Sequence, residues 1–322
     1  MKRKRNGISC MAIGIYCVLG LFPYFFAQFL ILKYQNMESK LRCNFNSTTL
    51  CESSNRDVVF FFATSWSSGF DLAIKSLRST GAKCRIVLFV PSRFFLNYRR
   101  NLVLNLLNIE IIKDCNATNG RNMVPHMIRY EYEKIWLEKH IGEIDRVFHT
   151  DTFDVFFQGD PFCTSISNES LAFVIEPHLI RSCGWNTDWI SRCYGSKELF
   201  SLRHEFIICS GSIAGPAYQY LQLLNLMISQ KHWESCWENS MDQPILNYLV
   251  WKGVVKEKGI KYHFVGCDSG FFTVQWCVLE REIRYNEHGQ VISLMNTVPA
   301  YVHQYNRVQP FSTYLYSICN VM

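Results

Sequence analysis

The order of apolar runs predicts a doubly wound α/β fold, a mainly parallel sheet with helices on both faces, preceded by an N-terminal transmembrane helix. Three observations carry this. Short apolar runs at 57–63 and 85–90 have the character of strands buried on both faces of a parallel sheet, and 109–112 makes a third strand. Segments 70–79 and 94–107 between them have helical spacing, so strand and helix alternate. Ahead of them, 8–32 is almost wholly apolar, long enough to span a bilayer, and follows Lys2, Arg3, Lys4 and Arg5.

The charge pattern orients such a span. With positive charge inside, 1–7 reads as a cytosolic tail, 8–32 as a signal anchor, and everything after it as lumenal. A cleaved signal peptide is the alternative, for which Ala27-Gln28 offers a faint cleavage site. Sequons at Asn46, Asn116 and Asn168 all fall on the lumenal side. The chain carries a net charge of +6, but four of those charges sit in the tail, and no basic stripe interleaved with aromatics remains. Nucleic-acid binding is therefore not expected. Of the 14 cysteines, twelve lie beyond the apolar stretch, where pairing is plausible; Cys43 with Cys51 and Cys183 with Cys193 are candidate local bridges. Cys84 and Cys209 lie within or beside apolar runs, which suits buried free thiols.

Residues 33–56 are polar, as expected of a stem, and 57–322 form the domain. After the first strand, 65–69 is a loop, and Gly81 stops the helix that follows. Pro91 closes the second strand. Residues 129–140 place Tyr, Ile, Trp and Leu at helical spacing and lead into the strand beginning at Val147. Beyond Pro161, 171–175 is another strand, and 178–201 is an excursion over its end. A short strand at 206–208 enters the small-residue loop 210–216, which admits a ligand close to the backbone. Helices follow at 218–229 and from Asp242-Gln-Pro towards Trp251.

Chemistry concentrates in the stretch from Val147 to Phe162. Val147 and Phe148 precede Asp151 and Asp154; Val155, Phe156 and Phe157 resume the apolar run, and Asp160-Pro161 ends it. The two carboxylates thus sit where a buried strand reaches the surface, at the end where open α/β sheets bind ligands. They repel one another unless a cation lies between them, and a hard divalent ion carrying phosphates suits that need. Capping a turn is the plainer alternative.

Taken together, the segment His149-Thr-Asp-Thr-Phe-Asp-Val-Phe-Phe-Gln-Gly-Asp-Pro-Phe162, the run Ser210-Gly-Ser-Ile-Ala-Gly215, Asp242-Gln243 with Leu246-Asn247, and Val302-His-Gln-Tyr-Asn-Arg307 resemble the nucleotide-sugar-dependent glycosyltransferases of the GT-A fold, more loosely the glycogenin-like families. The resemblance covers about 57–307. It implies a GT-A-like fold, a Golgi or endoplasmic-reticulum type II membrane protein held by one helix, and transfer of a sugar from a nucleotide-sugar donor to a glycan, glycoprotein or glycolipid acceptor. It further implies a hexosyl- or pentosyltransferase, retaining ahead of inverting.

Carried over residue by residue, the resemblance makes Asp151, Asp154 and His303 ligands of Mn2+ or Mg2+ bridging the donor diphosphate. Thr64, Ser65 and Trp66 would hold the nucleoside, Arg129 would approach the phosphates, and Ser210 and Gly211 would let the donor near the backbone. Asp242 and Gln243 would flank the transferred sugar. An inverting reaction needs a carboxylate base, and Asp242, Glu176 and Asp188 each remain open for it. Three departures stand out: Asp-x-x-Asp replaces the usual Asp-x-Asp, Cys209 stands where relatives carry a more polar residue, and His303 lacks the longer Gly/Lys-containing motif. A catalytically inactive lectin-like or scaffold protein of the same fold, and a metal-dependent sugar-phosphate hydrolase, are the competing expectations.

Overall fold

The computed structural model of the chain describes residue 28 and residues 41–45, 47, 53–163, 166–239, 241–278 and 282–321. Strands β1 (Asp57–Phe62), β2 (Arg85–Phe89), β3 (Ile109–Ile112) and β4 (Arg146–Thr150) run parallel in the order β3-β2-β1-β4. Every residue of β1 is buried because both faces of the sheet are covered. Val58, Phe60 and Phe62 enter one core and Val59 and Phe61 the other, as the two-residue period of a strand requires. A continuous apolar run is the sequence form of that arrangement.

Helices α1 (Ser68–Ser79) and α2 (Tyr98–Leu106) lie on the second face, and α3 (Pro125–His140) on the first. Their starts are set by local chemistry. Ser67 Oγ accepts from Phe70 N at 3.1 Å, Asn97 Oδ1 accepts from Arg100 N at 2.9 Å, and a proline opens α3, where its missing N–H costs nothing.

Beyond β4 the chain does not continue as one strand. It turns at 151–154, and β5 (Val155–Phe157) joins a second, three-stranded sheet in the order β5-β10-β9, with β9 (Phe271–Thr273) and β10 (Tyr301–His303). The large sheet is extended instead by β6 (Leu171–Leu179), β7 (Phe206–Pro216) and β8 (Tyr262–Val265), giving β3-β2-β1-β4-β7-β6-β8. Only β7 is antiparallel to its neighbours, so four of the six pairings are parallel. The small-residue run expected as a loop is thus part of β7, whose Asp-facing end pairs Ser212 with Thr150.

The excursion after β6 is helical, with α4 (Gly184–Tyr194) and α5 (Ser196–Leu202). Helices α6 (Ala217–Ser229), α7 (Trp233–Glu238), α8 (Gln243–Trp251) and α9 (Val254–Glu257) follow β7, α10 (Val274–Cys277) follows β9, and α11 (Gln309–Ile318) closes the domain.

The expected fold is corrected: the described residues form a mixed α/β fold around a mostly parallel seven-stranded sheet, without the transmembrane helix expected ahead of it. Among the described residues no helix is long and apolar enough to cross a membrane. The longest, α3, has 16 residues, about 24 Å at 1.5 Å per residue, and carries charged side chains. Residues 8–32, except Gln28, lie outside the described residues, so the fold is stated without a span. Within 33–56, Leu41, Cys43 and Ser53 are buried, and Ser53 donates from N and Oγ to Asp160 at 2.8 and 2.6 Å.

Both expected local bridges are replaced. Cys43 pairs with Cys319, Cys267 pairs with Cys277, and Cys163 is also disulfide-bonded. Cys183 and Cys193 are buried free thiols, as are Cys84 and Cys209. The reason is helical: ten residues along α4 separate the first two by about 15 Å, beyond the reach of a disulfide. The bridges that do form point to a secreted or lumenal environment.

Candidate active site

The site lies at the carboxyl end of β4, where the first-sheet and second-sheet strands part. Thr152 Oγ1 accepts from Phe62 N at 3.1 Å, which fastens the 151–154 turn to the end of β1. Gln304 N donates to the Asp154 carbonyl at 2.7 Å, and Tyr305 Oη donates to that of Phe153 at 3.3 Å, bringing the end of β10 across the same turn. As a result Asp151, Asp154 and His303 converge, with candidate ligand atoms all within 4.8 Å of one another. His303 Nε2 stands 3.1 Å from Asp151 Oδ2 and 3.7 Å from Asp154 Oδ1.

Two glycines make room for the turn. The Phe153 carbonyl fills the space that a β-carbon on Gly69 would need, and the Asp151 carboxylate fills that of Gly211. Behind the cluster, His303 Nδ1 contacts Cys209 Sγ at 3.6 Å, and Tyr301 Oη bridges Thr150 Oγ1 at 2.8 Å and Ser212 Oγ at 3.0 Å. The Cys209 contact and the Tyr301 ring, stacked on His303 with centroids 6.0 Å apart, orient the imidazole as outer partners of a metal-ligating histidine do.

Arg129, buried on α3, links two acids: it donates to Asp151 Oδ1 at 2.6 Å and to Asp242 Oδ2 at 2.7 Å. Tyr130 Oη adds a bond to Asp242 Oδ2 at 3.0 Å. One layer deeper, His149 faces acceptors on both sides, Glu133 at 2.8 Å from Nδ1 and the Ser210 carbonyl at 3.1 Å from Nε2; Tyr220 Oη also donates to Glu133. The polar groups under the floor thus satisfy one another, as burial demands, except for Arg129 Nε, which is buried without a hydrogen-bond partner.

The electrostatics follow from these partners. Burial works against a charge on Asp151, but Arg129 and His303 hold its carboxyl far below the usual range. Burial pushes Asp154 up, and the neighbouring Asp151 adds to that. For His303 burial opposes protonation, yet its acidic surroundings raise it well above the ordinary imidazole value. Burial also raises Glu176, and His303, Trp276 and Cys209 hold that rise back.

Asp151 and His303 line a cavity of about 630 Å3 together with Arg129, Glu176, Ser210, Gly211, Asp242 and Gln243. Cis ligands of an octahedral ion at about 2.1 Å lie roughly 3 Å apart, so the spacing of Asp151 and His303 fits a divalent cation, and oxygen with imidazole nitrogen is a donor set that manganese accepts. A second cavity, of about 370 Å3, opens on the other side of the turn, lined by Thr64, Ser65, Ser67, Gly69, Phe153 and Tyr316.

Most of the sequence-derived candidates therefore meet. Trp66 lines neither cavity: it packs against Phe70 at 5.2 Å and lies under Arg100 at 5.4 Å. Asp188 points away as well, half exposed on α4 and paired with Arg192 at 3.0 Å. Asp242 precedes α8 without capping it, because its carboxylate is committed to Arg129 and Tyr130. Gln243 links Ser210 N, at 3.2 Å, to Asn186 Oδ1, at 2.9 Å, and Asn247 holds the Ile208 backbone from both sides at 2.9 Å. Residues the sequence reading passed over include Gly69, Tyr301, Tyr316 and the cavity cation Arg307. Arg307 ends the quoted Val302–Arg307 segment, and its position four residues after His303 was the available signal. No protein-family model and no curated protein matches this chain.

Proposed function

We propose that the chain is a metal-dependent glycosyltransferase that moves a sugar from a nucleotide-sugar donor to a glycan, glycoprotein or glycolipid acceptor in the lumen of the Golgi or endoplasmic reticulum. The observation that carries this reading is the convergence of Asp151, Asp154 and His303 from two chain segments about 150 residues apart, with Asp151 and His303 lining the large cavity. A manganese or magnesium ion there would offset charge gathering on a departing diphosphate. Arg129 and Arg307, both at the cavity, add fixed positive charge for the phosphates. The cavity at Thr64, Ser65 and Tyr316 has the position and size for the nucleoside.

Among the candidate acids, Glu176 suits proton transfer. It lines the cavity, is only 4% exposed, makes no ion pair among the described residues, and is raised by burial. Asp242, tied to Arg129, instead positions that cation. Nucleotide release from a panel of nucleotide sugars, with and without acceptors, tests the reading. Release that depends on acceptor and on divalent metal supports transfer; release from donor without acceptor favours a hydrolase, and glycan binding without release favours a lectin-like protein.

A further inference from the structure

We infer that the tryptophans walling the large cavity form a subsite for a pyranose ring of the acceptor, an inference that rests on the glycosyltransferase reading. Trp185 and Trp189 stand four residues apart on α4 and so share one face, with ring centroids 6.1 Å apart. Trp276 comes from α10 and lines the same cavity as both of them, Glu176 and His303. A lone exposed tryptophan needs no explanation. Three that converge on one polar cavity do, and Trp185 is 70% exposed.

The wall is held in place from behind. Buried Asn186, beside Trp185, accepts from Gln243 Nε2 at 2.9 Å, and Gln243 Oε1 accepts from Ser210 N at 3.2 Å, so α4 is tied to the strand that carries Gly211. Trp276 is fixed by the Cys267–Cys277 bridge at the adjacent residue and by stacking on His178, with centroids 4.1 Å apart and rings 13° from parallel.

A pyranose has an apolar face of C–H groups and a rim of hydroxyls. Indole faces suit the first, while Glu176 and Gln275, also in this wall, suit the second. The proposed proton acceptor, Glu176, thus shares one cavity with the platform. None of the three tryptophans lines the cavity of Thr64 and Tyr316, so a nucleoside there leaves the platform free.

Saturation-transfer NMR of the whole protein with a panel of methyl pyranosides, in the presence of diamagnetic magnesium and nucleoside diphosphates, tests this. At least one pyranoside should bind the native protein through its ring C–H protons. Trp185→Ala, at an exposed position, should weaken it about tenfold, Trp185→Phe should restore part of the loss, and Trp276→Ala should repeat it. Binding of no pyranoside, unchanged affinity in Trp185→Ala, or preference for tetramethylammonium over every pyranoside overturns the subsite. Tryptophan-dependent pyranoside binding in a protein that binds no nucleoside diphosphate keeps the subsite and overturns the transferase reading instead.

Discussion

The carbonyl oxygen of Phe153 occupies the space that a β-carbon on Gly69 would need. The first residues of α1 and the acidic turn are therefore in direct backbone contact, and neither can move alone. Backbone cannot yield as a flexible side chain can, so Gly69→Ala should push the turn away from β10 and separate Asp151 and Asp154 from His303. The expected outcome is loss of manganese binding of at least tenfold. Isothermal titration with manganese, beside a circular-dichroism check of folding, measures it.

Gly211 makes a milder test of the same geometry, since its missing β-carbon makes room for the Asp151 carboxylate, a side chain that can rotate. Gly211→Ala should fold, and should displace Asp151 from Arg129 and His303. Metal affinity should fall, and the thermal midpoint with it, because buried Arg129 loses one of its two carboxylate partners.

Asp242 and Glu176 should separate by what their loss costs. Arg129 and Asp242 are 7% and 9% exposed in their side chains, so Asp242→Ala leaves a buried cation short of a partner and should destabilise the fold by about 3–5 kcal/mol. Glu176→Gln keeps the shape and removes a charge whose burial is unfavourable, so stability should hold or rise while turnover falls at least a hundredfold. Urea unfolding alongside acceptor-dependent nucleotide release distinguishes the two.

The Cys43–Cys319 bridge joins residues 276 apart and ends one turn beyond Tyr316, at the rim of the smaller cavity. Replacing both cysteines by serine should lower stability by about 2–5 kcal/mol. Nucleoside diphosphate affinity should fall with it, because α11 supplies Tyr316. Thermal unfolding with and without reductant is the check.

Much of this was legible in the sequence because burial on both faces leaves continuous apolar runs. The strands at 57–62 and 85–89 were readable for that reason, and so was the exit of β4 at Asp151; 109–112, a half-buried edge strand, was readable from its place after a helix. What the pattern could not carry was pairing. Val155–Phe157 looks like more of the same strand, yet it belongs to another sheet because its partner, Tyr301–His303, lies far away in the chain. The run from Ser210 to Pro216 looked like a loop for its small residues, which in fact let Asp151 and the neighbouring strand approach β7. Cysteine spacing misled in the same way, since Cys43 reaches across the whole domain to Cys319. Asp151, Asp154 and His303 were all visible as residue types; their convergence required the three-stranded sheet.

The central claim is that Asp151, Asp154 and His303 hold a divalent ion against a nucleoside diphosphate. Two carboxylates and an imidazole bind such an ion weakly without phosphate oxygens, so metal and nucleotide should bind cooperatively. The direct measurement is calorimetric titration of nucleoside diphosphates into native and Asp154→Asn protein, each with and without manganese. The account predicts that manganese tightens binding to the native protein by tenfold or more and that Asp154→Asn abolishes the gain with the fold intact. Equal affinity in the two proteins with manganese present would contradict it.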